Sequence, residues 1–224
     1  MGAPINIGRV FGVYLRIDIA VFLMAAFFVL QGLQRPGLGG ALDELTFAIL
    51  LVFSIYLHEM GHAFGGRLFG IGTLDVTLTF FGGYARLSRS PRTTLEEVVV
   101  SGAGPATNLL IWYLLSYWLL PMMDLSGHSE YILYRIAFAN MILGVFNLLP
   151  GYPLDGGSIA TAILARFMRR GRARLVTGYI GVGIGFLLIA LDLQSGNFGF
   201  NAMMGILLIL AASQEIQSAQ NSRF

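Results

Sequence analysis

Three residues in one apolar stretch have the types and spacing of a metal site: His58, Glu59 and His62, in Leu57-His58-Glu59-Met60-Gly61-His62-Ala63. On a helix, positions i and i+4 share a face, so both imidazoles reach a single Zn²⁺. Glu59, rotated by about 100°, stays close enough to act on a water at the metal. This is the His-Glu-x-x-His pattern of metalloproteases. The 224 residues hold only three histidines, and two of them stand here. An ionisable residue deep in a membrane span costs roughly 2.5–3.5 kcal/mol and marks a functional site. A polar cluster that merely tied helices together would gain only about 0.6–2 kcal/mol per contact and would need no such spacing.

A catalytic zinc needs a third protein ligand and an open position for water. Cysteine is absent and His128 falls in a predicted outer loop, so a carboxylate completes the set, and Asp155 is the best candidate. It lies in Asn147-Leu148-Leu149-Pro150-Gly151-Tyr152-Pro153-Leu154-Asp155-Gly156-Gly157. Prolines and glycines there break the helix and let a side chain turn inward to a cavity. At 1.5 Å per residue back from Arg67, His62 is ~8 Å and His58 ~14 Å inside the cytoplasmic boundary, a depth that the inner end of a fourth span reaches.

The elements that must carry these residues are membrane helices. Hydrophobic residues make up 56% of the chain and charged ones 12%, against about 25% charged in ordinary soluble domains, and the mean hydropathy is +0.73. A soluble globule, a disordered chain, a collagen and a coiled coil are all excluded. Six spans are predicted, over about 17–33, 45–68, 97–120, 132–149, 175–193 and 200–215, with five spans and a re-entrant segment as the variant. Every basic residue is Arg. With a cytoplasmic N-terminus, the inner segments hold Arg9, Arg16, Arg67, Arg86, Arg89, Arg92, Arg166, Arg169, Arg170, Arg172, Arg174 and Arg223, and the outer ones only Arg35 and Arg135. That asymmetry places both termini in the cytoplasm and explains the basic charge better than nucleic-acid binding does.

One connection differs from the rest. Residues 73–81 alternate polar and apolar side chains, Gly82-Gly83 reads as a turn, and residues 84–89 resume the alternation, which predicts a β-hairpin at the cytoplasmic rim. Such an edge either recruits an extended peptide by strand addition or merely packs on the bundle. Gly178, Gly181, Gly183 and Gly185 in span five read as close helix contacts. Asp18 reads as a helix cap or a partner for Arg16, Asn108 as a helix-packing hydrogen bonder, and His128 as a solvated histidine.

With these motifs in view, the chain resembles the site-2 proteases, a family of intramembrane zinc metalloproteases. The likeness rests on the His58–His62 motif, on Ser101-Gly102-Ala103-Gly104-Pro105-Ala106-Thr107-Asn108 in span three, and on the Asn147–Gly157 motif. It implies one Zn²⁺ per chain bound by His58, His62 and Asp155, a catalytic Glu59, and Asn147 and Pro150 placed to position substrate. Asn147 reads equally well as a cap for broken helix ends. The expected fold is an all-α polytopic membrane protein of about six transmembrane helices with a small β-hairpin or sheet between helices 2 and 3. One integral membrane domain over residues 1–224, with no PDZ or CBS module, is expected. The expected function is zinc-dependent hydrolysis of peptide bonds in or near a transmembrane segment of membrane-protein substrates, in a prokaryotic cell membrane, with lipid and no nucleic acid as surroundings. A non-catalytic scaffold binding membrane helices and a metal-ion transporter are the alternatives.

Overall fold

The computed structural model describes residues 4–10, 12–35, 37–79, 82–123, 127–194, 196 and 199–221. Phe80, Phe81 and Arg223 of the sequence reading lie outside the described residues. The elements run β1 (Ile5–Val10), β2 (Val13–Ile17), α1 (Ile19–Gly32), α2 (Gly39–Arg67), β3 (Thr73–Thr79), β4 (Gly82–Leu87), α3 (Thr94–Leu114), a π turn (Leu115–Leu119), α4 (Leu120–Met122), α5 (His128–Asn147), α6 (Asp155–Leu164), α7 (Arg170–Gln194) and α8 (Phe200–Asn221). They fall into two compact units, Met1–Ser90 with Ala103–Val145, and Pro91–Gly102 with Phe146–Phe224.

Among the described residues, four helices are long and apolar enough to cross a membrane: Gly39–Arg67, Thr94–Met122, Arg170–Gln194 and Asn201–Asn221. The last of these is longer than the short sixth span predicted. The other two predicted spans are helical, but α1 has 14 residues, about 21 Å against a hydrocarbon core of about 30 Å, and α5 carries Arg135 and Glu130. Asp18 does cap α1, its carboxylate accepting from the Ala20 N–H at 2.9 Å.

In the first unit the strands form a four-stranded sheet in the order β1-β2-β3-β4, with β2 and β3 parallel and the outer pairs antiparallel. The hairpin expected between helices 2 and 3 is therefore half of a larger sheet. Its missing half is the N-terminus, where a short alternation from Ile5 to Ile17 pairs through Gly12 at φ +82°. Gly82 and Gly83 are not the turn; they are strand residues opposite Thr79 and Leu78. Val13, Val76 and Leu78 of the sheet pack with Val21 of α1 and Tyr56 of α2 into a buried apolar core.

Several arginines counted above as markers of topology hold buried carboxylates. Asp75 of β3 is buried and paired with Arg86, its cross-strand neighbour. Glu44 of α2, 3% exposed, takes a bidentate pair from Arg135 at 2.8 and 2.9 Å, and Arg35 lies at 3.3 Å. Arg135 in turn stacks on Phe47 at 4.0 Å. The positive-inside asymmetry thus overlaps with pairing inside the fold.

The second unit is built on the α7–α8 hairpin, where a Cβ on Gly185 would fall 2.6 Å from the Gly205 carbonyl oxygen and one on Gly205 would fall 2.4 Å from that of Gly185. Asp192 closes the hairpin by accepting from the N–H groups of Gly199 and Ala202 and from the Asn201 amide.

Breaking a buried ion pair on one side leaves an uncompensated charge and costs about 3–5 kcal/mol. Arg135→Ala, with Arg35 still near Glu44, is expected to lower stability by about 2–4 kcal/mol in thermal unfolding in detergent, and Arg35→Ala by less. Equal stability of Arg135→Ala and the parent would contradict the pairing.

Candidate metal centre

Helix α2 delivers His58, Glu59 and His62 within its last three turns. His58 and Glu59 are buried and His62 is half-buried. The two imidazoles meet edge to face at 4.8 Å between centroids, and their Nε2 atoms stand 3.1 Å apart. Two nitrogens on a tetrahedral zinc at 2.0–2.1 Å lie about 3.3 Å apart. The donor set and spacing therefore fit a single such ion.

A chain of buried amides sets the orientation of His58. The Ile136 carbonyl can only accept, so Asn140 turns its NH₂ to it at 2.8 Å and to the Ser54 hydroxyl at 3.0 Å. Ser54 itself donates to the Leu50 carbonyl. The Oδ1 of Asn140 then accepts from the Asn108 NH₂ at 2.7 Å, which leaves Asn108 Oδ1 facing His58 Nδ1 at 2.5 Å. His58 Nδ1 is thereby the protonated nitrogen, and Nε2 carries the lone pair that a metal requires. Asn108 and Asn140 are both 0% exposed. Asn108 is thus the helix-packing hydrogen bonder expected from the sequence and also the residue that fixes a histidine. Asn140 and Ser54 were missed, since neither belongs to a motif.

Glycines let the backbone approach this group. A Cβ on Gly104 of α3 would fall 2.4 Å from His62 Nε2 and 2.7 Å from His58 Nε2. A Cβ on Gly61 would fall 2.5 Å from Thr107 Oγ1 and 2.6 Å from the Ala103 carbonyl oxygen, so α3 packs directly on the α2 backbone at this glycine. On the sheet side, a Cβ on Gly83 would fall 2.6 Å from Glu59 Cγ, so β4 lies directly over this carboxylate.

The second unit carries the other expected site residues. Asn147 ends α5 and is half-buried, Pro150 is exposed in the break that follows, and Asp155 opens α6 and is half-buried. Between them, burial pushes the Tyr152 phenol above its ordinary pKa, with the Glu215 carboxylate adding to the rise and Arg174 opposing it. His128 takes no part in the metal group; its exposed ring pairs with Asp43 at 2.7 Å.

A His-Glu-x-x-His group on an apolar helix long enough to cross a membrane, with a sheet laid over the glutamate, defines a membrane protein with a peptidase-type metal centre. The model of peptidase family M50 matches residues 46–126 and 121–190, and the chain belongs to that family as an integral membrane protein. It is 30% identical to the putative zinc metalloprotease sll0528 of Synechocystis, over 98% of this chain and 62% of that protein. It is 26% identical to the zinc metalloprotease MJ0392 of Methanocaldococcus jannaschii, over 96% of this chain and 61% of that protein. The chain spans about three fifths of the length of these relatives. Its fold matches the solved site-2 protease from Methanocaldococcus jannaschii with a TM-score of 0.74, 24% identity, and coverage of 96% of this chain and 95% of that one.

Gly104→Ala drives a methyl group between the imidazole nitrogens and is expected to remove the bound metal. Gly102→Ala, whose Cβ would meet only Ile159 at 3.8 Å, is expected to keep it. Elemental analysis of the two purified variants checks this, and metal retained by Gly104→Ala would contradict it. Asn108→Ala frees the His58 ring and is expected to weaken metal binding about 10–100-fold, measured by competition with a chelator.

Proposed function

We propose that this chain is a zinc-dependent intramembrane endopeptidase that hydrolyses peptide bonds in or near a transmembrane segment of membrane-protein substrates, in regulated intramembrane proteolysis. One observation carries the reading: two histidine Nε2 atoms 3.1 Å apart, one of them held in the metal-binding tautomer by Asn108, with Glu59 buried beside them on the same helix. The names of the curated relatives and the matching fold support it.

In this reading His58, His62 and Asp155 hold one Zn²⁺ per chain. When bound, zinc lowers the pKa of a coordinated water towards about 7 and polarises a carbonyl. Glu59 accepts the proton of the attacking water and delivers it to the leaving amine, so one carboxylate serves as base and then as acid. Asn147 hydrogen-bonds the substrate backbone or the developing oxyanion, and Pro150 keeps the neighbouring chain out of a helix, open to substrate. Six spans, with α1 and α5 crossing beside the four long helices, and both termini in the cytoplasm fit the arginine pattern. A prokaryotic cell membrane fits the bacterial and archaeal relatives.

A substrate helix has its carbonyls engaged in internal bonds and must open before attack. β4 is at one end of the sheet and its Gly83 lies against Glu59, so an extended peptide added to that edge runs beside the base. Replacing Gly or Pro near the cut in a substrate span by Leu is expected to slow cleavage; equal rates across such a series would contradict the need for unwinding.

Glu59→Gln tests the central assignment. In liposomes carrying a transmembrane peptide substrate, it is expected to lower cleavage by at least about 10²-fold while zinc content stays at one per chain. Parental cleavage by Glu59→Gln would overturn the role of Glu59. Absence of cleavage by the parent across a panel of transmembrane peptides would favour a scaffold that binds membrane helices.

A further inference from the structure

Helix α7 carries Gly178, Gly181, Gly183 and Gly185, and their surroundings differ. A Cβ on Gly178 or Gly185 would strike Ile216 or Ile209 of α8 within 2.7 Å, so these two glycines serve the α7–α8 hairpin. A Cβ on Gly183 would meet nothing within 4 Å. A Cβ on Gly181 would fall 2.0 Å from the Tyr152 carbonyl oxygen, and one on Gly151 would fall 2.7 Å from Gly181 Cα. At that point the broken segment before Asp155 lies backbone to backbone on α7.

Hydrogen bonds secure the contact. The Tyr152 N–H donates to the Thr177 carbonyl at 3.0 Å. In an α-helix that carbonyl points towards residue 181, so a segment that donates to it must run beside residue 181, where any side chain blocks the way. Thr177 is fully buried, and its hydroxyl bonds to that of Thr161 in α6 at 2.7 Å. Helix α7 thus holds both the segment before Asp155 and the helix after it. The segment is also closed on itself: a Cβ on Gly156 would fall 2.2 Å from the Leu148 carbonyl oxygen, and one on Gly157 would fall 2.5 Å from the carbonyl carbon of Gly151. Asp155 sits between these clamped stretches as the first residue of α6.

Taking Asp155 as the third zinc ligand, as proposed above, we infer that Gly181 and Thr177 are positioning residues of the metal site: the shelf they form on α7 sets the place of the Gly151–Asp155 segment and hence of the carboxylate. The shelf needs a glycine because backbone must touch backbone, and it needs the Thr177 carbonyl because that is the acceptor of the Tyr152 N–H. A helix that bears no ligand thereby takes part in metal binding.

The test uses the full chain in detergent and compares the parent with Gly181→Ala, Gly183→Ala and Asp155→Ala. Three quantities are read: the zinc dissociation constant by chelator competition, the visible absorption of the cobalt-loaded protein, and the melting temperature of the metal-free form. Gly183→Ala is expected to match the parent. Gly181→Ala is expected to bind zinc at least about 10-fold more weakly, with an altered cobalt spectrum. A merely structural role for Gly181 would lower the metal-free melting temperature and leave affinity and spectrum unchanged, which would overturn the inference. If Asp155→Ala binds zinc as the parent does, the ligand reading fails instead. Should Gly181→Ala not fold, Thr177→Val takes its place, since it keeps the branched shape and the backbone carbonyl and deletes the hydroxyl, with its bonds to Thr161 and to the Ala173 and Arg174 carbonyls. Weaker zinc binding is expected there too, and parental affinity would overturn the inference.

Discussion

An imidazole surrounded by apolar helices binds a metal tightly when its other nitrogen has a fixed partner, and His58 has one in Asn108. That single hydrogen bond draws in the rest of the first unit. Asn108 is oriented by Asn140, Asn140 by the Ile136 carbonyl and Ser54, and Ser54 by its own helix. Each amide is satisfied, so the chain of bonds has only one arrangement. In surroundings with little water to substitute for a lost partner, that uniqueness outweighs the modest strength of each bond. The tautomer of His58 is thus decided about three side chains away, at a carbonyl that can only accept.

Close approach is the second constraint. Gly61 and Gly104 let α2 and α3 cross at the imidazoles, Gly83 lets β4 pass over Glu59, and Gly151 and Gly181 let the broken segment lie on α7. In every case the added Cβ would fall below 3 Å from backbone or from a site side chain. These glycines set distances that larger side chains would lengthen. Charge is managed in the same economical way: the buried carboxylates Glu44 and Asp75 each have an arginine from another element.

Much of the site was legible before the fold. His58, Glu59 and His62 belong to one helix, so their relation follows from helical geometry alone, and the proline and glycine break pointed to Asp155. Asn108 was legible as a packing residue, but its bond to His58 spans 50 positions and has no local signature. The N-terminal strands were overlooked because a short alternation beside a long apolar run reads as the flank of a span. Gly82-Gly83 was misplaced as a turn because a glycine pair is a turn signal unless something outside the strand, here Glu59, demands the missing side chain. Arg135 looked like a marker of the outer surface because its partner Glu44 lies 91 residues away. Gly181 was visible only as one of four alike, since its contact is to a backbone carbonyl, which carries no sequence pattern.

In the proposed site two imidazoles of one helix and the carboxylate of Asp155 share a single zinc ion. X-ray absorption at the zinc edge of the purified protein addresses it directly, beside the Asp155→Ala variant. The expected spectrum shows two imidazole nitrogens at about 2.0–2.1 Å with carboxylate and water oxygens at similar range and no sulfur, and the variant loses an oxygen ligand or the ion altogether. Zinc bound with an unchanged ligand shell in Asp155→Ala would contradict that arrangement.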